Sequence, residues 1–237
     1  MLSNFYLHYQ PIFYVKDPTQ MLGYEALLRH PAGWSPHDLL REARRVGAIP
    51  MWELRVLERA AEEVLLRTGE ILFFNLTPEA FADAAFPARA ARLVESKGIS
   101  TARVCVEVSE QGLYALKEFS PLVREWVERG FFVALDDFGT QRANIDLLFG
   151  IQLDYVKVDR VLVDGVAADR KKQTLLAGLV EVIAGLGSYP ILEGVEREED
   201  FEWLAGTGWD VGVQGFVLAR PSALSAEAVN ISKGGRR

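Results

Sequence analysis

The sequence predicts an α/β fold, a modified TIM (β/α)8 barrel with an antiparallel first strand. At 237 residues, the chain has the length of one barrel domain, which typically contains about 250. Apolar, β-branched runs alternate with longer amphipathic segments, as is typical of parallel strands with helices packed outside them. The first two apolar runs are joined by a loop around Lys16–Gln20, which is too short for a crossover helix. We therefore expect an antiparallel hairpin at the start of the sheet.

The order of the elements follows from hydrophobic periodicity and from residues that start and stop helices. The predicted strands are Leu7–Val15, Leu22–Leu28, Ile71–Leu76, Arg103–Val108, Phe131–Leu135, Tyr155–Val158, Pro190–Leu192 and Gly212–Val217. The predicted helices are Ser35–Val46, Met51–Leu66, Pro78–Ser96, Ser120–Glu128, Lys171–Leu186 and Glu198–Ala205. No linker or repeated unit divides the chain. Residues 1–231 are therefore expected to form a single domain, and residues 232–237 a disordered tail.

Composition indicates whether the protein is globular, membrane-bound or secreted. Hydrophobic residues make up 49% of the chain, which is enough for a sizeable core. No run approaches the roughly 20 apolar residues of a membrane span, and the amino-terminal segment lacks the pattern of a signal peptide. Cys105 is the only cysteine of the sequence, so no intrachain disulfide can form, which fits a reducing compartment. The sequence thus predicts a soluble cytoplasmic protein without membrane insertion.

Net charge and histidine content limit the kinds of ligand that the protein is expected to bind. A formal net charge of -7 argues against binding to long nucleic acid, which needs a positive face. The sequence contains three histidines, His8, His30 and His37, too few for a zinc site of histidine and cysteine ligands. A bound metal would therefore take oxygen ligands, which favours Mg²⁺ or Mn²⁺.

Polar side chains gather at the carboxyl ends of the predicted strands. They are Glu25, Asn75, Glu107, Asp136, Asp137, Lys157, Glu193 and Gln214. Barrel enzymes build their active sites at that rim from residues of several strands. Any one of these residues alone is readily explained as a helix cap, but their recurrence on successive strands is not. Buried carboxylates at one mouth repel each other unless cations lie between them, so the pattern predicts a metal site.

The residue types in this set predict a hydrolytic chemistry. Asp136 and Asp137 stand where a strand ends and the chain turns, so they can serve two metal ions, or one metal ion and its neighbour. Two-metal sites clamp the attacking and leaving oxygens of a phosphodiester. Lys157 is suited to stabilising charge on a phosphate, and Glu193 is a natural proton acceptor in a chain with few histidines. The residues alone predict metal-dependent phosphoester hydrolysis and leave the substrate open.

Motifs along almost the whole chain resemble those of the EAL domain family, in family order. They are YQPI (Tyr9–Ile12), GYEALLR (Gly23–Arg29), FNLTP (Phe74–Pro78), EVSE (Glu107–Glu110), DDFGT (Asp136–Thr140), VKVDR (Val156–Arg160), EGVE (Glu193–Glu196) and QGF (Gln214–Phe216). The family cleaves one phosphodiester of cyclic di-GMP to give linear pGpG in bacterial second-messenger signalling. The resemblance therefore implies a metal-dependent cyclic di-GMP phosphodiesterase on a barrel with an antiparallel first strand.

The resemblance also implies roles for individual residues. The implied metal ligands are Glu25, Asn75, Glu107 and Asp136, with Asp137 bridging to a second Mg²⁺ or Mn²⁺ ion. The implied catalytic residues are Glu193, which holds or deprotonates the attacking water, Lys157 near the phosphate, and Glu25. The implied substrate-binding residues are Gln10, Arg29, Gln214 and Asp159. Family members often dimerise through the face beside the Asp-Asp strand, so a homodimer is expected.

One segment departs from the family pattern. After Asp136–Thr140 the family usually continues Gly-Tyr-Ser-Ser-Leu, a loop that couples metal binding, substrate binding and dimerisation. This chain instead has Gln141–Asn144 followed by Ile145, and glutamine resists backbone angles that glycine permits. Glu110, which matches the glutamate that anchors this loop in the family, is retained.

Two other functions therefore stay open. The altered loop favours a cyclic di-GMP receptor with little or no turnover. A protein-interaction regulator without nucleotide binding is the second alternative, and the retained Gln10, Arg29 and Gln214 argue against it. The complete set of metal-ligand and catalytic positions favours the enzyme, because a pure receptor does not need all of them.

Overall fold

The computed structural model describes residues 2–116, 119–140 and 146–224. The divergent segment Gln141–Asn144 and the predicted tail at residues 232–237 lie outside the described residues. Among the helices of the described ranges, none combines the length and the apolar character that a membrane crossing requires.

Strands β1 to β8 close into a barrel in chain order. They are β1 (Tyr6–Tyr14), β2 (Asp17–Arg29), β3 (Ile71–Asn75), β4 (Val104–Ser109), β5 (Phe132–Phe138), β6 (Tyr155–Val158), β7 (Tyr189–Leu192) and β8 (Gly212–Val213). β1 runs antiparallel to both of its neighbours, β2 and β8, and the other neighbouring pairs are parallel. The predicted barrel with an antiparallel first strand is confirmed.

Two predicted strand boundaries are wrong. β1 ends at Tyr14 and β2 begins at Asp17, so most of the expected loop at Lys16–Gln20 belongs to β2. β8 is shorter than the predicted Gly212–Val217. The chain leaves the sheet there because Leu218 and Ala219 both donate backbone hydrogen bonds to the Gly215 carbonyl, which closes a turn.

Helices follow the strands on the outside of the barrel. They are α1 (Pro36–Arg45), α2 (Ile49–Ala60), α3 (Pro78–Phe81), α4 (Phe86–Ser96), α5 (Glu110–Ala115), α6 (Phe119–Glu128), α7 (Asp146–Gly150), α8 (Arg160–Val163), α9 (Arg170–Gly185) and α10 (Glu198–Gly206). The sequence did not predict α5, α7 and α8, because helices this short show no clear 3.6-residue periodicity.

The predicted helix Pro78–Ser96 is wrong, since the structure divides it into α3 and α4. Pro87 lies in the first turn of α4. A proline inside a continuous helix lacks the N–H donor and clashes with the carbonyl four residues earlier, so the helix restarts here. The predicted helix Met51–Leu66 begins earlier, at Ile49, and its last part, Ala61–Leu65, is a π-helical turn.

The barrel interior contains an apolar layer, which consists of Ile12, Leu22, Phe73, Cys105, Ala134, Tyr155 and Ile191. Gly23 and Gly212 lie beside it. A Cβ atom on Gly23 would meet the Phe73 ring at 2.7 Å, and one on Gly212 would meet Ile191 Cγ1 at 3.1 Å. The larger core lies outside the barrel wall, between the strands and the helices. The interior is thus packed solid below the rim that carries the site.

Candidate metal centre and active site

A polar layer lies directly above the apolar layer. It consists of Gln10, Glu25, Asn75, Glu107, Asp136, Lys157, Glu193 and Gln214. Each member is two residues from an apolar-layer residue or from Gly23 or Gly212 on the same stretch of chain, as in Cys105 and Glu107 or Tyr155 and Lys157. Side chains on a strand return to the same face every second residue, so the polar layer faces the barrel axis. Eight segments of the chain therefore converge on one mouth.

Lys157 lies at the centre of the polar layer. Its side chain is 1% exposed, and its Nζ atom is 2.7 Å from Glu107 Oε1 and 2.8 Å from Glu193 Oε1. Asp136 Oδ1 and Glu25 Oε2 lie at 3.2 and 3.3 Å from the same atom. One ammonium thus faces four carboxyl groups, which leaves an excess of negative charge if all are ionised.

Amide side chains complete the contacts of Glu25. Asn75 Nδ2 donates to Glu25 Oε1 at 2.9 Å, and Gln214 Nε2 donates to Glu25 Oε2 at 2.8 Å. Burial opposes ionisation, but the charge of Lys157 and these two hydrogen bonds together hold the pKa of Glu25 below its usual value. Glu25 is therefore ionised at neutral pH.

The backbone at Asp137 brings two adjacent carboxylates to the same side of β5. Residues next to each other on a strand normally point to opposite faces. Asp137 has a φ of 57°, in the left-handed region, and the pairing with β6 shifts between Leu135 and Phe138. As a result, oxygens of Asp136, Asp137 and Glu193 lie within 4.8 Å of one another. The sequence-based expectation that Asp136 and Asp137 act together has this irregularity as its structural basis.

Several carboxyl groups of the site hold protons more tightly than free carboxyls do. Burial raises the pKa of Glu193 to about 8, and the charges of Asp136 and Glu25 add to the effect while Lys157 opposes it. Burial also raises the pKa of Glu107 well above its usual range, with Lys157 again opposing the charges of Glu25 and Asp136. The pKa of Asp137 rises to about 6 through burial and the neighbouring Asp136.

The donor set fits divalent cations. Apart from the ion pairs with Lys157, buried oxygens of Glu107 and Asp136 have no hydrogen-bond partner within the described ranges, and neither does Gln214 Oε1. Carboxylate and amide oxygens are the ligands that Mg²⁺ and Mn²⁺ prefer. A cation among them would supply the positive charge that one lysine cannot, and would displace the protons that Glu193 and Glu107 retain.

Two cavities flank the carboxylates at the rim. The first cavity, of about 220 Å³, has Gln10, Glu25, Gln214, Asp159 and Glu193 among its lining residues. The second cavity, of about 360 Å³, contains Arg29, Asn75, Asp136 and Asp137, and extends over apolar side chains to α1 and α2. The acidic centre is therefore open to a ligand on both sides.

The structure brings the predicted substrate-binding residues to these cavities. In the first, Gln10 Nε2 donates to the Ala219 carbonyl at 3.1 Å, and Asp159 accepts from Val161 N at 2.8 Å as the N-cap of α8. In the second, Arg29 donates to the carbonyl of Leu28. Glu110 lies outside both cavity linings, buried at the start of α5, and accepts from Gly139 N at 3.2 Å. It thus holds the chain two residues after Asp137.

The side chains of Arg160, Glu196 and Phe216 also line the first cavity and were not assigned from the sequence. Arg160 forms an ion pair with Glu196 at 2.7 Å, and Arg220 lies over the Phe216 ring. All three lie within motifs that the sequence analysis singled out, VKVDR, EGVE and QGF. Their position in those motifs could therefore have identified them as residues of the site.

Fold and site together define the class of this protein, a TIM-like barrel with an acidic centre at the carboxyl ends of its strands. The model of the EAL domain matches residues 2–221, and the chain belongs to the EAL domain family.

Curated relatives and solved structures agree with this membership. The chain is 30% identical to cyclic di-GMP phosphodiesterase PA2567 of Pseudomonas aeruginosa, over 92% of this chain and 38% of that protein. It is 27% identical to probable cyclic di-GMP phosphodiesterase PdeN of Escherichia coli, over 94% of this chain and 44% of that protein. The chain thus spans less than half the length of these relatives.

Among solved structures, the PaMucR phosphodiesterase in complex with c-di-GMP superimposes with a TM-score of 0.81 at 26% identity, over 95% of this chain and 99% of that one. The manganese and cy-diGMP complex of Klebsiella pneumoniae BlrP1 gives a TM-score of 0.80 at 26% identity, over 92% and 56% of the two chains. The barrel of this chain is therefore that of EAL domains.

Proposed function

We propose that this protein hydrolyses one phosphodiester bond of cyclic di-GMP to linear pGpG, with two Mg²⁺ or Mn²⁺ ions at the polar layer. The observation that carries the proposal is the four carboxyl groups around Lys157, with buried oxygens that lack hydrogen-bond partners among the described residues. The names of the relatives, which describe phosphodiesterases of cyclic di-GMP, support the choice of substrate.

Glu25, Asn75, Glu107 and Asp136 would hold one cation, and Asp137 would link it to the second. When bound, such ions lower the pKa of an attacking water and stabilise negative charge on the phosphate. The three-carboxylate group of Asp136, Asp137 and Glu193 supports a second ion near the left-handed turn of β5. A complex of BlrP1 with manganese and cyclic di-GMP supports the type of metal.

Glu193 is the proposed proton acceptor. Its side chain lines the first cavity, so it can reach a water at the edge of a ligand there. Burial raises the pKa of this carboxyl to about 8, bound cations would lower it, and the ionised carboxylate would accept a proton from the attacking water. Lys157 Nζ, 2.8 Å away, holds the Glu193 carboxyl in place and offers positive charge to the reacting phosphate.

The two cavities support a ligand with two similar halves. Cyclic di-GMP has two guanosine halves joined by two phosphates, and carboxyl groups of the acidic centre line both cavities. Arg29 in the second cavity is suited to gripping a phosphate by a charge-assisted fork. Gln10, Gln214 and Asp159 offer polar contacts in the first.

We extend the proposal to a cytoplasmic homodimer. Helix α9 and its C-cap residue carry an exposed apolar stripe, Leu175, Val182 and Leu186, whose spacing of seven and four residues returns to one helix face. Phe149 on α7, after the Asp-Asp strand, is 67% exposed. Light scattering that gives a monomer mass at micromolar concentration would contradict the dimer.

The experiment that tests the activity is incubation of the purified protein with cyclic di-GMP and Mg²⁺ or Mn²⁺, with chromatographic analysis of products. We expect steady conversion to pGpG that stops when a chelator is added. Saturable binding of cyclic di-GMP without turnover would instead favour the receptor, with the changed segment Gln141–Asn144 as the feature to restore. Neither binding nor turnover would favour the interaction regulator.

A further inference from the structure

Glu53 is a buried acidic side chain on α2, outside the polar layer. It is 4% exposed, and its carboxyl contacts Thr77. Thr77 N donates to Oε1 at 3.2 Å, and the Thr77 hydroxyl donates to Oε2 at 3.2 Å. No ion pair to Glu53 is formed within the described part of the chain, and the nearby Arg44 pairs with Glu79 instead. A buried carboxyl without a cationic partner is costly, so its hydrogen bonds to Thr77 need a reason.

Thr77 is the last residue of the segment Asn75–Thr77, which connects β3 to α3 and is called the turn below. The turn begins at Asn75, a proposed metal ligand. Asn75 Nδ2 bonds to Glu25, Leu76 N donates to the Glu107 carbonyl at 2.9 Å, and Thr77 bonds to Glu53. Thr77 is also the N-cap of α3, because its side chain accepts from Ala80 N. Each residue of the turn is thus fixed by a different partner, and Glu53 is the partner supplied by the outer helices.

Glu53 and Asn75 line the same cavity. Asp136 and Asp137 line that cavity too, so the turn and the acidic centre border the same space. Burial raises the pKa of Glu53 to about 8, against the opposing effect of its bonds to Thr77. At neutral pH Glu53 is therefore a neutral hydrogen-bonding group whose shape and size glutamine can reproduce.

We propose that Glu53 is a positioning residue for Asn75, acting through Thr77 to fix the turn after β3. The proposal rests on the proposed function to the extent that it takes Asn75 as a metal ligand. Without Glu53 the Thr77 N–H loses its acceptor, the turn shifts, and the Asn75 side chain leaves the position from which it bonds to Glu25. Groups that orient metal ligands in this way change metal affinity by about 10–100-fold when removed.

The test compares three variants of the full chain. Glu53→Met keeps the side-chain volume but removes both acceptors, Glu53→Gln keeps a carbonyl acceptor, and Glu58→Met is the matched control at a half-exposed position of the same helix. If Glu53→Met does not fold, as judged by its thermal transition, Glu53→Ala takes its place. Two quantities are measured: the NMR signal of the Asn75 side-chain amide, assigned by its loss in Asn75→Ala, and the Kd for Mn²⁺ by calorimetry.

We expect Glu53→Met to move the Asn75 amide signal and to raise the Kd for Mn²⁺ about tenfold. Glu53→Gln should restore both quantities, and Glu58→Met should leave both unchanged. An unchanged Asn75 signal in folded Glu53→Met overturns the proposal, as does a lower melting temperature with unchanged Mn²⁺ affinity. If the wild-type protein binds no Mn²⁺, the proposed metal function fails, and the Asn75 signal alone decides whether Glu53 positions the turn.

Discussion

The apolar and polar layers of the barrel interior are separated by only two residues along each strand, yet they have opposite energetic roles. The apolar layer places Phe73 and Tyr155 edge to face at 5.2 Å, with both side chains buried. The polar layer, one step higher, packs Glu25, Glu107, Asp136 and Glu193 around a single lysine. The lower layer stabilises the fold, and the upper layer opposes folding, because one lysine cannot neutralise four buried carboxyl groups.

The largest expected effect of a substitution is in the polar layer. Glu25→Ala removes an ionised carboxylate that bonds to Asn75, Gln214 and Lys157, and we expect metal-dependent turnover of cyclic di-GMP to fall to the level seen with a chelator. Glu58→Ala, at a half-exposed position of α2, is the control and should keep wild-type turnover. Wild-type turnover in Glu25→Ala would show that the site is assigned wrongly.

Substitutions in the apolar layer should lower the free energy of unfolding. Phe73 is completely buried, and Phe73→Ala should lower the free energy of unfolding by about 3–5 kcal/mol. Leu66→Ala, which truncates an exposed side chain, should change it by less than about 0.5 kcal/mol. Urea denaturation measures both. A loss at Phe73 no larger than that at Leu66 would mean that the lower barrel is not tightly packed.

A third variant tests whether removing a charge from the polar layer increases stability, in contrast to the loss expected in the apolar layer. The raised pKa of Glu107 means that the unfolded chain ionises this carboxyl first as pH rises, so stability falls with increasing pH above the usual carboxyl range. With a chelator present, Glu107→Gln should therefore raise the free energy of unfolding by roughly 1–3 kcal/mol at pH 8, and by less at pH 5. A variant that is less stable than wild type at pH 8 would show that the Lys157–Glu107 bond outweighs the repulsion.

The last prediction concerns the pH dependence of metal binding. Because the pKa of Glu193 is about 8, its carboxyl is protonated at pH 6 and must lose that proton when a cation binds. Affinity for Mn²⁺ should therefore increase roughly tenfold for each pH unit between pH 6 and 8, per proton displaced. Calorimetry in two buffers of different ionisation enthalpy would count the protons. A Kd independent of pH in this range would remove Glu193 from the metal site.

Strand alternation made the barrel and most of the site predictable. Glu107 follows Cys105 by two residues and Lys157 follows Tyr155 by two, so a reader of the sequence can assign both polar residues to one face. Barrel closure then brings those faces together. The break between α3 and α4 was also visible in principle, since Pro87 marks the restart.

Other features depend on contacts between distant parts of the chain. The position of Lys157 among carboxyls from four other strands or strand ends follows from barrel closure, which no local pattern encodes. The left-handed backbone of Asp137 arises where the β5–β6 register shifts, and that shift has no local sequence marker. The burial of Glu53 has only a weak sequence signal. Glu53 precedes Val56 and Leu57 by three and four residues, which places it on the same buried face of α2. The roles of Gln141–Asn144 and of the tail stay predictions.

The positive φ of Asp137 also limits how the gene can change. Asparagine and glycine adopt left-handed backbone readily, whereas β-branched and bulky residues do not. Each of these two substitutions is one base away from an aspartate codon, and each preserves the turn while removing the carboxylate. A single nucleotide change can therefore remove the proposed metal ligand Asp137 while keeping the backbone conformation of the turn, so the proposed turnover and the fold can be lost separately.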